Sequence, residues 1–93
     1  MNGAAARREL HKYLNAFRRR GYKALIQDLG NRKLVTVTGE DGRYYEIAVE
    51  IRWEGRPGDD IRVVGLIDDR QLGSAMFPIT EDFIVTSDGQ VVE

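Results

Sequence analysis

Between Tyr45 and Trp53 every second residue is apolar. Tyr45, Ile47, Val49, Ile51 and Trp53 share one parity, while Glu46, Glu50 and Arg52 share the other. Successive side chains on a strand point to opposite faces, so this run can bury only one side of an extended chain. It predicts a strand with one face in a core and one in water, as in an antiparallel sheet.

Upstream the period is different. Leu10, Tyr13, Leu14 and Phe17 fall at i, i+3, i+4 and i+7, with Ala6 beside them. This spacing makes a single apolar stripe on an amphipathic helix. Arg8, Lys12, Asn15 and Arg19 project from the opposite side as a basic ridge, and Gly21 is a natural stop. Tyr22, Leu25, Ile26 and Leu29 repeat the helical spacing, with their stripe rotated by about 120° from the first. A second short helix is expected there, closed by Gly30 and Asn31, and a strand is the competing reading for so short a segment.

Beyond Lys33 the period is two. Val35, Thr36, Val37 and Thr38 are β-branched, and Glu40-Asp41-Gly42 supplies a hairpin turn into the strand around Ile47. A Gly- and Pro-containing loop, residues 55–60, leads to a third strand over residues 61–67. A fourth strand is expected over residues 74–79, with Pro78 confining it to an edge or an end. Thr80, Glu81 and Asp82 read as a tight turn or one helical turn. Phe83 to Val85 and Val91-Val92 flank Ser87-Asp88-Gly89 as a small terminal hairpin. The expected fold is α+β: two N-terminal helices on one face of a four-stranded, mostly antiparallel meander, in one domain over residues 1–93. Leu10, Leu14, Phe17, Leu25, Ile26, Ile47, Val49, Ile51 and Val63 are the expected core.

A chain of 93 residues has room for about one helical layer on one sheet. Without cysteine it can form neither a disulfide nor a thiolate site. It shows no apolar run long enough to cross a membrane and no signal-like start, so a cytoplasmic protein is expected. Charge divides sharply along the chain. Residues 1–33 carry nine basic and two acidic side chains, whereas residues 34–93 carry five basic and thirteen acidic ones. Such asymmetry points to a charged partner or to pairing within the molecule.

Little in the chain supports catalysis. His11 is the only histidine and lies beside the apolar stripe with no second imidazole. Ser74 and Ser87 lack the setting of a nucleophile. The carboxylate pairs Asp59-Asp60, Asp68-Asp69 and Glu81-Asp82 fall at expected strand ends, where convergence on Mg²⁺ or Ca²⁺ is conceivable in chemistry. Adjacent acids on a strand nevertheless face opposite ways. No cofactor motif is present.

Two surfaces are candidates for binding. The ridge of Arg8, Lys12 and Arg19 suits phosphates or an acidic partner, with Tyr44 available for stacking. The outward strand residues Glu46 and Glu50 suit a basic surface. A non-enzymatic protein-binding module is therefore the leading expectation. Nucleic-acid binding through the first helix is the alternative, and a metal-assisted enzyme using Asp68, Asp69, Glu81 or Asp82 a third. Stacking of the basic layer on the acidic face of a second copy would give a weak, salt-sensitive self-association.

The segment Ile67-Asp68-Asp69, then Phe77-Pro78-Ile79-Thr80-Glu81-Asp82-Phe83-Ile84-Val85, then Asp88-Gly89, resembles the C-terminal half of a small family of uncharacterised bacterial proteins. The resemblance covers about a third of the chain and implies no catalytic residue.

Overall fold

A computed structural model describes residues 2–69 and 78–93. Helix α1 spans Gly3–Arg18 and helix α2 spans Tyr22–Ile26. Strands follow at β1 (Lys33–Thr38), β2 (Tyr44–Trp53), β3 (Ile61–Asp68), β4 (Ile79–Val85) and β5 (Val91–Val92). They form one sheet in the order β1-β2-β3-β4-β5, with every neighbouring pair antiparallel. The architecture is α+β, as the two hydrophobic periods imply.

Asn2 begins α1, its side-chain oxygen accepting a hydrogen bond from the Ala5 amide at 3.1 Å. That bond satisfies one of the amides left open at a helix start. The apolar stripe then faces the sheet, burying Ala6, Leu10, Leu14 and Phe17. Gly21, at φ 85°, turns the chain into α2, a left-handed conformation that side-chain-bearing residues rarely adopt. The rotated second stripe consequently reaches the same core from a new direction, with Leu25 fully buried.

On the sheet, the core-facing residues of β2 are those its parity predicts, and Ala48, on the outward parity, is buried as well. Tyr45, Ile47, Val49 and Ile51 are buried and Trp53 is half-buried on the helical side. They meet Ile61, Val63 and Ile67 of β3, followed by Phe83 and Val85 of β4. Helix α1 packs over β3 and β4. Gly65 makes this close approach possible, because a Cβ there would stand 2.9 Å from both Leu10 Cδ1 and Leu14 Cδ1.

Expectations about the C-terminal region change. Among the described residues the sheet has five strands rather than four, and the strand that follows β3 runs over Ile79–Val85; of the strand expected over residues 74–79, only residues 78 and 79 can be compared. Residues 74–77 lie outside the described residues. Thr80, Glu81 and Asp82 are strand, not turn. Acidic residues disfavour strands in isolation, but Glu81 and Asp82 each meet a cation on their own face of the sheet. The terminal hairpin forms between β4 and β5, with Val85 opposite Val91.

Candidate functional site

The basic first third and the acidic remainder are joined by ion pairs. Arg8 Nε donates to Glu40 Oε2 at 3.1 Å, tying the outside of α1 to the β1–β2 turn. Arg18 lies on the other flank of α1, above β4. Its guanidinium donates to Glu81 Oε2 at 2.9 Å and to Glu93 Oε1 at 2.6 Å, while stacking 4.5 Å from the centre of the Phe83 ring. Arg32 NH1 stands 3.3 Å from Glu50 Oε1. The hydrogen bond from Arg18 holds the Glu93 carboxyl below its ordinary range, and Glu93 in turn raises the Arg18 guanidinium.

The expected basic ridge is therefore partly neutralised. Besides Arg8, Lys12 lies 3.3 Å from Glu9 on its own helix, and Glu9 is itself nearly buried. Arg19 is exposed at the helix end, with no ion pair among the described residues. An open groove of about 560 Å³ runs past Arg7, Arg8, His11, Lys12, Glu40 and Glu81. Its walls carry both signs of charge.

His11 has a partner that its sequence neighbourhood does not reveal. Its Nδ1 lies 2.9 Å from Glu81 Oε2, seventy positions along the chain. Glu81 reaches it because the residue opposite on β3 is Gly65, on the helical face of the sheet. A carboxylate can orient an imidazole. Here the same oxygen also receives Arg18, so the three groups form a strut between α1 and β4.

The acidic pairs separate as strand geometry requires. Glu81 faces the helix while Asp82 faces outward to Arg62. Asp69 is buried, with Arg43 NH1 3.9 Å from its Oδ2, and Asp68 has the opposite parity. In the 55–60 loop, the Asp59 carbonyl accepts from the Tyr22 hydroxyl at 2.6 Å and Asp60 Oδ1 accepts from the Ser87 amide at 3.2 Å. No three His, Cys, Asp or Glu residues among the described ones are grouped to hold a metal ion.

The outer face of the sheet has a more continuous pattern. Cross-strand register places Leu34 beside Ala48, Ala48 beside Leu66, and Leu66 beside Thr80 in one row. The next row is Glu50, Val64 and Asp82, and the one after it Arg52, Arg62, Ile84 and Val92. On the other side of the apolar row lie Thr36, Glu46 and Asp68, followed by Thr38 and Tyr44. Leu34 is 62% and Tyr44 71% exposed. Arg62 donates to Glu54 Oε1 at 3.1 Å and also bonds Asp82, so it holds two carboxylates at one corner of this face. Glu46 and Glu50 thus lie across the sheet from Arg8, Lys12 and Arg19, the arrangement expected when helices occupy one side. The apolar row between the carboxylates was not visible in any one strand, because it forms only when three strands are registered.

No family model, curated protein or solved structure matches this chain. No helix among the described residues is long and apolar enough to cross a membrane.

Proposed function

We propose that this chain is a non-enzymatic protein-binding module, and that its outer sheet face receives a partner presenting an apolar ridge flanked by lysine or arginine. The observation that carries this reading is the row Leu34–Ala48–Leu66 with Tyr44 nearby, bordered by Glu46, Glu50, Asp68 and Asp82. Leu34 and Tyr44 are exposed and Leu66 half-buried, while Ala48 in the middle of the row is covered; apolar side chains gathered in one patch, unlike scattered ones, favour association. Carboxylates at the patch border add orientation toward a basic partner; Glu50 and Asp82 already lie beside Arg32 and Arg62, so it is the apolar row that distinguishes this face from the ridge.

The basic ridge gains less support as the primary surface. Arg8 and Lys12 already lie beside Glu40 and Glu9. A phosphate ligand would have to compete with those carboxylates.

The test compares affinity capture from source-cell extract by the wild-type chain, a Tyr44→Ser/Leu66→Thr variant and an Arg8→Glu/Arg19→Glu variant. The reading expects proteins retained by the wild type and by the helix variant but lost from the sheet variant. Fluorescence anisotropy with mixed-sequence RNA and DNA forms the second arm. Nucleic-acid binding abolished by Arg8→Glu/Arg19→Glu, with no protein lost from the sheet variant, would replace this reading with the ridge.

A further inference from the structure

The sheet has two dissimilar edges. At one end β5 contributes only two residues, whereas at the other β1 offers six, with β2 as its only strand neighbour among the described residues. An open edge is a template for another strand. Residues Leu34–Thr38 contain no proline or charge that would discourage pairing.

The direction of the open backbone groups follows from the turn. The Gly39 amide donates to the Arg43 carbonyl at 2.8 Å. Hydrogen-bonding direction alternates along a strand, so Lys33, Val35 and Val37 share the direction of Gly39 and bond toward β2. Leu34, Thr36 and Thr38 turn their amides and carbonyls to the open edge.

We propose that a second copy of this chain pairs with this edge, β1 against β1 of the partner, antiparallel about a two-fold axis at Thr36. This register places Val35 opposite the partner's Val37, Leu34 opposite the partner's Thr38, and Arg32 opposite the partner's Glu40. The strand has Arg32 before it, Lys33 as its first residue, and Glu40-Asp41 after it. Antiparallel self-pairing brings opposite charges together at both ends, while parallel pairing would set like beside like. A two-residue slip either way leaves one valine pair, on the axis, in place of two and loses the Arg32 to Glu40 match.

Packing favours the same arrangement. Because α1 lies over β3 and β4, Val35 and Val37 at the β1 edge are only half-buried. A neighbouring strand about 4.8 Å away would cover them and extend the row that begins with the exposed Leu34. Arg8 holds Glu40 on the helical side and Glu50 holds Arg32 on the outer side, so both side chains must swing to the edge to meet; these contacts are exposed on both partners, so little stability is lost when they are given up. A six-residue edge buries less than the roughly 1,600 Å² of a stable complex, so the dimer is weak and favoured by low salt.

Sedimentation equilibrium of the full chain over a wide concentration range, at low and high salt, measures this association. A reversible monomer–dimer equilibrium is expected. Thr36→Pro removes an outward amide without touching the β1–β2 ladder and should weaken dimerisation by about tenfold or more. Arg32→Glu alone should also weaken it, and adding Glu40→Arg should restore it. The chain has no cysteine, so Thr36→Cys provides an independent check: its partner position, about 5.5 Å away between Cα atoms, allows an oxidised covalent dimer. Arg52→Cys, at the far end of the sheet, should not cross-link under the same conditions. A wild-type chain that stays monomeric throughout, or a dimer indifferent to both Thr36→Pro and the charge exchange, would overturn the proposal. Tyr44 and Leu66 remain in place in Thr36→Pro, so failure of this dimer is distinguishable from failure of the outer face to bind another protein.

Discussion

Arg18 and Glu81 meet at 2.9 Å across the interface between α1 and β4, joining the basic and acidic parts of the chain at a site where the arginine side chain is only 12% exposed. The Phe83 ring beneath the guanidinium makes Arg18 a packing residue as well as a charge. Arg18→Ala should lower unfolding free energy by about 1–2 kcal/mol through loss of the ion pair and the ring contact. Urea unfolding measures the difference, and Arg18→Met, which retains much of the stem, should recover part of it.

Gly65 sets how closely the helix approaches the sheet. Gly65→Ala would place a methyl group 2.9 Å from the ends of Leu10 and Leu14. Overpacking at such a site costs about 1–3 kcal/mol. Denaturant unfolding should show this loss, with α1 amides exchanging faster than those of β2 in hydrogen–deuterium exchange.

Tyr45 and Asp41 give the fold a pH dependence on both sides of neutrality. Burial, and then its bond to Asp41, pushes the Tyr45 hydroxyl above its ordinary pKa. The same hydrogen bond holds Asp41 below the usual carboxylate range. Asp28 is likewise held low by Arg20 and then Lys33. A raised folded pKa gives stability that is complete below about pH 10 and is lost as pH rises through the folded value. Depressed carboxylates give stability that is complete above about pH 4 and is lost as pH falls through their folded values. Thermal midpoints should therefore form a plateau between these limits. Tyr45→Phe should remove its share of the alkaline decline and flatten part of the acidic one.

Local periodicity accounts for what could be read from the chain and what could not. The stripe from Leu10 to Phe17 and the alternation from Tyr45 to Trp53 each identify an element and its buried face without reference to anything distant. The charge split was equally visible, but its resolution required Arg18 and His11 to meet Glu81 across more than sixty positions. The first half of β4 was read as a turn for the same reason: Glu81 and Asp82 disfavour a strand until Arg18 and Arg62 are alongside. The carboxylates Glu46 and Glu50 were legible as an outward face, whereas the row Leu34–Ala48–Leu66 draws one residue from each of three strands.

Tyr44 is the clearest separation of binding from folding. It is 71% exposed and lies opposite Thr38 on the outer face. Tyr44→Ser should alter unfolding free energy by no more than about 0.5 kcal/mol, as for most surface changes, yet reduce retention of a partner in the capture experiment. Equal denaturation curves with unequal capture would be the expected pair of results.

The central claim is that a partner lies on the outer sheet face rather than along α1. Site-specific photo-cross-linking in the source cells, with a benzophenone side chain at position 44 in one variant and at position 12 in another, tests it most directly. Protein adducts from position 44 and none from position 12 are the predicted result. Adducts from position 12 alone, to protein or to nucleic acid, would contradict it.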